Sequence, residues 1–266
     1  MPFPPPPETP PAGSGPIEAV VFDLFFTLIN PLGRDPEEAN EYSILGMDRE
    51  DFEARYTEDY ETWGRGKLRD PGQIMTLTLR GLGFSPEKIR RAAEARMERI
   101  RRAIYGIEEK NLTLLRDLRE EGYKTALVSN ADVMDIRYWQ GSALSRAFDV
   151  ILFSCEEGLL KPDPRIFTLA AEKLRVESGT CLYVGDGGHQ ELTGARTAGM
   201  IPVLTTEYIS RTWPEKIQTL RKDADQVIQS LDEIRRLVPY GPSPVRYGPG
   251  ITARSTRSSG WSRCLW

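Results

Sequence analysis

Four short stretches of this chain place reactive side chains where a fold could bring them together. In Val20-Val21-Phe22-Asp23-Leu24-Phe25-Phe26-Thr27-Leu28 an apolar run ends in Asp23. A buried strand that stops there and enters a tight turn presents one carboxylate at the rim of a sheet. Leu127-Val128-Ser129-Asn130 sets a hydroxyl at the end of another strand. Gly158-Leu159-Leu160-Lys161-Pro162-Asp163-Pro164 holds an ammonium just ahead of a helix. Tyr183-Val184-Gly185-Asp186-Gly187-Gly188-His189-Gln190-Glu191 is a strand ending in an acid, then a glycine-rich turn into a helix. A carboxylate, a hydroxyl, an ammonium and further acids are the groups with which a protein attacks an electrophile and balances the charge around it. Each stretch alone has a bland reading, since an Asp at a strand end is often a turn residue and Ser129 could merely close its strand. All four in one order are hard to obtain by chance.

Holding them requires a sheet. Apolar, β-rich runs occur at Glu18–Asp23, Lys124–Ser129, Val150–Ser154, Cys181–Gly185, Ile201–Thr205 and Gln226–Ile228. Most are continuously apolar, as strands buried on both faces are. Amphipathic stretches lie between them. Leu112, Leu115 and Leu118 share one helix face that Gly122 is placed to close. Asp163 caps a helix that Pro164 opens, with Phe167, Ala170, Ala171 and Leu174 as its buried stripe. Strand alternating with helix from about residue 107 onward predicts an α/β fold with a parallel, doubly wound, Rossmann-like sheet.

The span from Asn30 to about Tyr105 contains no convincing strand. Asp35-Pro36-Glu37-Glu38, Asp48-Arg49-Glu50-Asp51 and Ser85-Pro86-Glu87 read as helix starts, and Gly81-Leu82-Gly83 as a break. A helical block inserted after the first strand should sit over the carboxyl edge of the sheet, where such folds bind ligands, as a small all-helical cap. The expected organisation is a Pro-rich tail at 1–16, a core at 17–30 and 106–238, a cap at 31–105, and a flexible basic tail at 239–266. Trp63, Tyr56 and Tyr60 are expected to pack the cap rather than line a pocket.

Composition narrows the field. With 35 basic and 39 acidic residues the formal charge is −4, and the basic tail carries Arg246, Arg254, Arg257 and Arg263 without an acid. An acidic body with a short basic tail is a poor binder of nucleic acid, whose affinity rests on clustered cations. No apolar run approaches the roughly 20 residues that cross a bilayer, and the N-terminus lacks a cationic start. No membrane partner and a cytoplasmic location are expected. The three cysteines, Cys155, Cys181 and Cys264, have no CxxC spacing, so neither a disulfide framework nor a zinc site is expected. The single histidine, His189, is expected to be solvated. Oligomeric state is not legible.

Over roughly residues 17–238 the four stretches resemble the haloacid dehalogenase superfamily of hydrolases, with a helical cap inserted after the first motif. The resemblance implies that Asp23 is the nucleophile, that Ser129 holds the transferring group and that Lys161 steadies the charge of nucleophile and substrate. Asp186 would help bind Mg²⁺, and Glu191 stands where a second acid of the GDxxxxD pattern is often found. Physical logic agrees. A carboxylate that attacks phosphorus approaches an anion, so a divalent metal and a cation must cancel charge. Mg²⁺ accepts few protein carboxylates, and Asp23, Asp186 and the main-chain carbonyl of Phe25 would suffice. Backbone N–H groups near Leu24 and Phe25, together with Ser129, would hold the equatorial oxygens, with Asn130 as a further substrate contact.

The pattern departs from its relatives at Phe25. Phosphatases of the superfamily usually carry there a second Asp that protonates the departing alcohol. One reading keeps phosphoryl transfer on a small phosphorylated metabolite, with an undemanding leaving group or an acid borrowed from the cap or His189. A second is 2-haloacid dehalogenation, because halide leaves without a proton; Arg34, Arg49 or Arg65 would then clamp the substrate carboxylate. A third is a degenerate hydrolase kept as an interaction module. Asp186 has no evident duty in halide displacement, so Mg²⁺-dependent phosphoryl chemistry is favoured. Phe25 and Phe26 are expected to pack beneath the cap. Phe26 occupies a position that is usually glycine, so the turn is expected to differ in shape.

Overall fold

In a computed structural model of the chain, residues 16–32 and 39–238 are described. The expected tails beyond Pro16 and Val238, the helix start at Asp35–Glu38, Arg34 and Cys264 lie outside the described residues.

Six strands, β1 (Ala19–Phe22), β2 (Lys124–Ser129), β3 (Val150–Phe153), β4 (Cys181–Gly185), β5 (Ile201–Thr205) and β6 (Gln226–Ile228), form one sheet in the order β3-β2-β1-β4-β5-β6. Every pairing is parallel, with Val21 opposite Ala126 on one side and Tyr183 on the other. Four strands coincide with the apolar runs read from sequence. β1 and β3 stop one residue earlier, because Asp23 and Ser154 already turn away from the ladder, although the Asp23 N–H still donates to the Val184 carbonyl at 2.9 Å.

The period-2 alternation of β1 divides the core. Val20 and Phe22 enter a layer with Leu114, Leu115 and Leu118, whereas Ala19 and Val21 enter the opposite layer with Ile166, Phe167 and Ala170. A strand apolar on both faces therefore needs a helix layer on each.

Among the described residues, the span expected to be a cap holds five helices: α1 (Glu41–Leu45), α2 (Arg49–Glu58), α3 (Tyr60–Gly64), α4 (Pro71–Thr78) and α5 (Pro86–Tyr105). The break at Gly81-Leu82-Gly83 falls between α4 and α5. Ser85 Oγ accepts the Lys88 N–H at 3.3 Å with Pro86 in the first turn, an N-terminus assembled as the sequence implied. Phe52, Trp63, Ile74, Met75 and Ala92 give this helical insertion its own apolar cluster, into which Met134 of the core segment reaches.

Helix α6 (Glu109–Glu120) ends ahead of Gly122, which takes φ 93°, a conformation that costs glycine nothing. After α7 (Ser154–Glu157), helix α8 (Pro164–Leu174) is capped by Asp163, whose carboxylate accepts the Arg165 N–H at 3.0 Å. Cys155 and Cys181 are buried free thiols. Among the described residues, no helix is long and apolar enough to cross a membrane.

Candidate active site at the carboxyl edge of the sheet

The carboxyl ends of β1, β2 and β4 and the loop ahead of α8 converge. Lys161 Nζ lies 2.5 Å from Asp23 Oδ1, 2.6 Å from Glu191 Oε2 and 3.1 Å from the Tyr183 hydroxyl. That hydroxyl donates to Glu191 Oε2 at 2.6 Å, and the Gly187 N–H donates to Glu191 Oε1 at 3.0 Å. Asp186 Oδ1 accepts the Gly188 N–H at 2.9 Å. One ligand atom from each of Asp23, Asp186 and Glu191 falls within 4.8 Å of the others.

Two tight approaches bring these groups together. A Cβ on Gly185 would stand 2.1 Å from Glu191 Oε1, so only glycine lets this carboxylate fold over the end of β4. A Cβ on Gly194 would stand 2.5 Å from the Pro162 carbonyl, so α9 (Glu191–Thr197) packs directly on the segment carrying Lys161. The Lys161–Pro162 peptide is cis.

Burial and mutual repulsion dominate the electrostatics. Burial, then the charge of Glu191, lift Asp23 from 3.8 to about 6 despite Lys161. Burial, then Glu191 and Asp23, push Asp186 well above the carboxylate range. Burial works against the Lys161 ammonium, but Asp23 and Glu191 outweigh it and hold its pKa above the ordinary value. Three carboxylates facing one ammonium leave surplus negative charge, and oxygen donors in that arrangement suit a hard divalent cation.

Ser129 is fully buried at the end of β2, and its Oγ has no hydrogen-bond partner; Thr27 Oγ1 shares that state. A buried hydroxyl without a partner is uncommon in a folded protein. Asn130, expected to contact substrate, reaches the cavity wall with its amide already committed: Nδ2 donates to the Lys161 carbonyl and Oδ1 accepts the Lys161 N–H. Leu24 is buried, and its carbonyl accepts the N–H groups of Leu28 and Ile29.

The site opens into a cavity of about 480 Å³ roofed by the helical insertion. Phe25 and Phe26, expected to pack beneath the cap, pack against the core and also line this cavity. Phe26 adopts φ 55°, a left-handed conformation unusual for an aromatic residue, and its ring meets Trp213 edge-on at 4.8 Å. Trp63 packs in the insertion's core, but Tyr56 and Tyr60 line the cavity, which corrects the expectation that all three only pack. His189 is exposed, as expected, and its ring also stacks on Tyr60 at 6.1 Å and lines the cavity.

Of the arginines considered as clamps, Arg49 lines the cavity. Arg65 borders a smaller cavity of about 310 Å³ and donates to the Gly158 carbonyl at 3.1 Å. Sequence reasoning passed over Arg96 and Arg99 of α5, both buried and both lining the cavity. Arg99 pairs with Glu41, while Arg96 lies 2.9 Å from Asp135 and stacks over the Tyr56 ring at 4.1 Å. Burial, then the charge of Asp132, lift Asp135 from 3.8 to about 7. The signal was present. Arg96 stands on the α5 stripe that includes Ala92, Ala93, Ile100 and Ile104, where a charge demands a partner.

Comparison with known proteins bears on this geometry. Over 174 residues the chain is 31% identical to the phosphoserine phosphatase of Thermus thermophilus, covering 63% of this chain and 68% of that protein. In fold it is similar to the L-2-haloacid dehalogenase of Xanthobacter autotrophicus, with a TM-score of 0.60, 19% identity and coverage of 84% of this chain and 98% of that one. A haloacid dehalogenase family enzyme of Bacteroides thetaiotaomicron, solved with magnesium and inorganic phosphate, gives a TM-score of 0.55 at 20% identity, covering 71% and 94%. Residues 17–199 match the haloacid dehalogenase-like hydrolase family, and this chain, with its parallel sheet and inserted helices, belongs to that family of hydrolases.

Proposed function

We propose that the protein is a phosphatase acting on a small phosphorylated metabolite, with Asp23 as nucleophile. The observation that carries this reading is the convergence of Asp23, Asp186 and Glu191 around Lys161, with more buried negative charge than Lys161 alone offsets. The donor set fits Mg²⁺, which Asp23, Asp186, Glu191 and the Phe25 carbonyl would hold. Bound there, the ion would draw charge from the phosphoryl oxygens and let a carboxylate approach them.

The chain's own residues would do the rest. Asp23 attacks in line and displaces the leaving oxygen as an alkoxide, which takes its proton from a water molecule, giving an aspartyl-phosphate that a second water then hydrolyses to phosphate and free Asp23. Lys161 keeps Asp23 aimed and offsets charge on the transferring group, while Tyr183 and Glu191 fix Lys161 from behind. Ser129 Oγ, without a partner, is reserved for a phosphoryl oxygen. Asn130 positions Lys161 rather than the substrate. The helical insertion acts as a cap that excludes water.

The relationship to a phosphatase supports this reading. Phe25 supports halide displacement as a second one, since the position two residues after Asp23 carries no acid to protonate an alcohol. Phosphate esters and 2-haloacids assayed with Mg²⁺ and with EDTA separate the two. Phosphate release that needs Mg²⁺ and disappears in Asp23→Asn is expected; halide release indifferent to EDTA would overturn the phosphatase reading.

A further inference from the structure

The cavity that holds Asp23 is also lined by a polar pair that none of the four motifs explains. Arg96 comes from α5 of the helical insertion and Asp135 from the loop after β2, and their side chains are only 8% and 4% exposed. Both line the cavity. Arg96 Nη2 donates to Asp135 Oδ1 at 2.9 Å, and the guanidinium is braced by the Tyr56 ring at 4.1 Å, yet its Nε–H is buried without an acceptor. Asp135 Oδ2 takes the Asp132 N–H at 3.1 Å, and each oxygen of this carboxylate keeps a free lone pair.

A second anion is a poor match for this end of the cavity. Arg96 and Arg99 face Glu41, Asp132 and Asp135, two guanidiniums against three carboxylates, so no positive charge is left over. What remains is the Arg96 Nε–H without an acceptor and spare lone pairs on Asp135. A hydroxyl answers both, because it donates and accepts through one oxygen.

We propose that Arg96 and Asp135 are specificity determinants that recognise a neutral hydroxyl on the leaving group, so that the substrate is the phosphate ester of a small polyhydroxy alcohol. This rests on the phosphatase reading and adds the class of alcohol. Because one partner belongs to the insertion and the other to the sheet domain, the recognition element is complete only while the two are packed together.

The test compares three-carbon esters that differ in the groups on the two carbons beyond the ester carbon: n-propyl phosphate, glycerol 1-phosphate and 3-phosphoglycerate, with Mg²⁺ present. The parent protein is expected to favour glycerol 1-phosphate over both others in kcat/KM by about tenfold or more, the usual scale for a hydroxyl meeting prepared partners. Arg96→Lys and Asp135→Asn, each verified as folded by circular dichroism and melting, are expected to shrink that preference over n-propyl phosphate to about threefold or less, chiefly through KM. Equal turnover of the propyl and glycerol esters by the parent, or an unchanged preference in both variants, overturns the inference and leaves the phosphatase reading standing. Preference for 3-phosphoglycerate overturns the neutral-hydroxyl assignment. Turnover of none of the three, nor of phenyl phosphate, overturns both readings together.

Discussion

Asn130 holds Lys161 through both of that residue's main-chain polar groups: its Nδ2 donates to the carbonyl at 3.0 Å and its Oδ1 accepts the N–H at 2.8 Å. The strand carrying the buried hydroxyl thus also sets the height of the ammonium. Asn130→Ala leaves two buried backbone groups without partners, at a cost of about 2–3 kcal/mol. A lower melting temperature is expected, together with a kcat reduced about tenfold or more as Lys161 loses its fixed reach to Asp23. An unchanged kcat at a lowered melting temperature would show that the amide serves stability alone.

Phe25 lines the cavity beside the proposed nucleophile, where an acid would protonate a departing alkoxide. A positioned general acid contributes about 10²–10⁴ in rate. Phe25→Asp is therefore expected to raise turnover of alkyl phosphates at least tenfold while changing p-nitrophenyl phosphate, which needs no proton, much less. Parallel changes for both esters would show that proton transfer does not limit the reaction.

Most of the sheet was legible because strands buried on both faces leave continuous apolar runs, and Lys124–Ser129 or Cys181–Gly185 need no tertiary knowledge to find. Asp23, Lys161 and Asp186, which the fold brings together, could be singled out as candidates because each stands where a strand or loop gives way to a turn. Tyr183 was not. It sits inside a fully apolar strand, so its ring reads as packing, and only the fold shows its hydroxyl beneath Lys161. Arg96 and Asp135 were missed for a related reason: they are 39 residues apart, and neither has a chemical purpose until α5 lies across the loop after β2. The lining roles of Tyr56 and Tyr60 depend on the same packing.

Arg175 closes α8 in the left-handed conformation, φ 61°, with its side chain exposed. That backbone costs a residue bearing a Cβ about 1 kcal/mol relative to glycine. Arg175→Gly is expected to raise the melting temperature by about 2 °C without altering kcat/KM, since the position is remote from the cavity. A lowered melting temperature in a differential scanning experiment would contradict this.

Asp135 provides a pH signature. Its pKa rises from 3.8 to about 7 on folding, so the folded state binds the extra proton between these values. Stability from this residue is therefore greatest below about pH 4 and is lost as pH climbs through 7. Asp135→Asn removes the titration. The melting temperature of the variant minus that of the parent should become more positive from pH 5 to pH 8. A difference that is flat or falls across this window would show that Arg96 keeps the carboxylate ionised throughout.

The side chains of Asp23 and Lys161 touch across 138 residues of sequence, and Glu191 lies further along still. No early fragment of the chain can own this centre. A nascent or refolding molecule stays inert until its central strands have all been laid down, so the regain of turnover after dilution from denaturant times the last step of assembly rather than the first collapse.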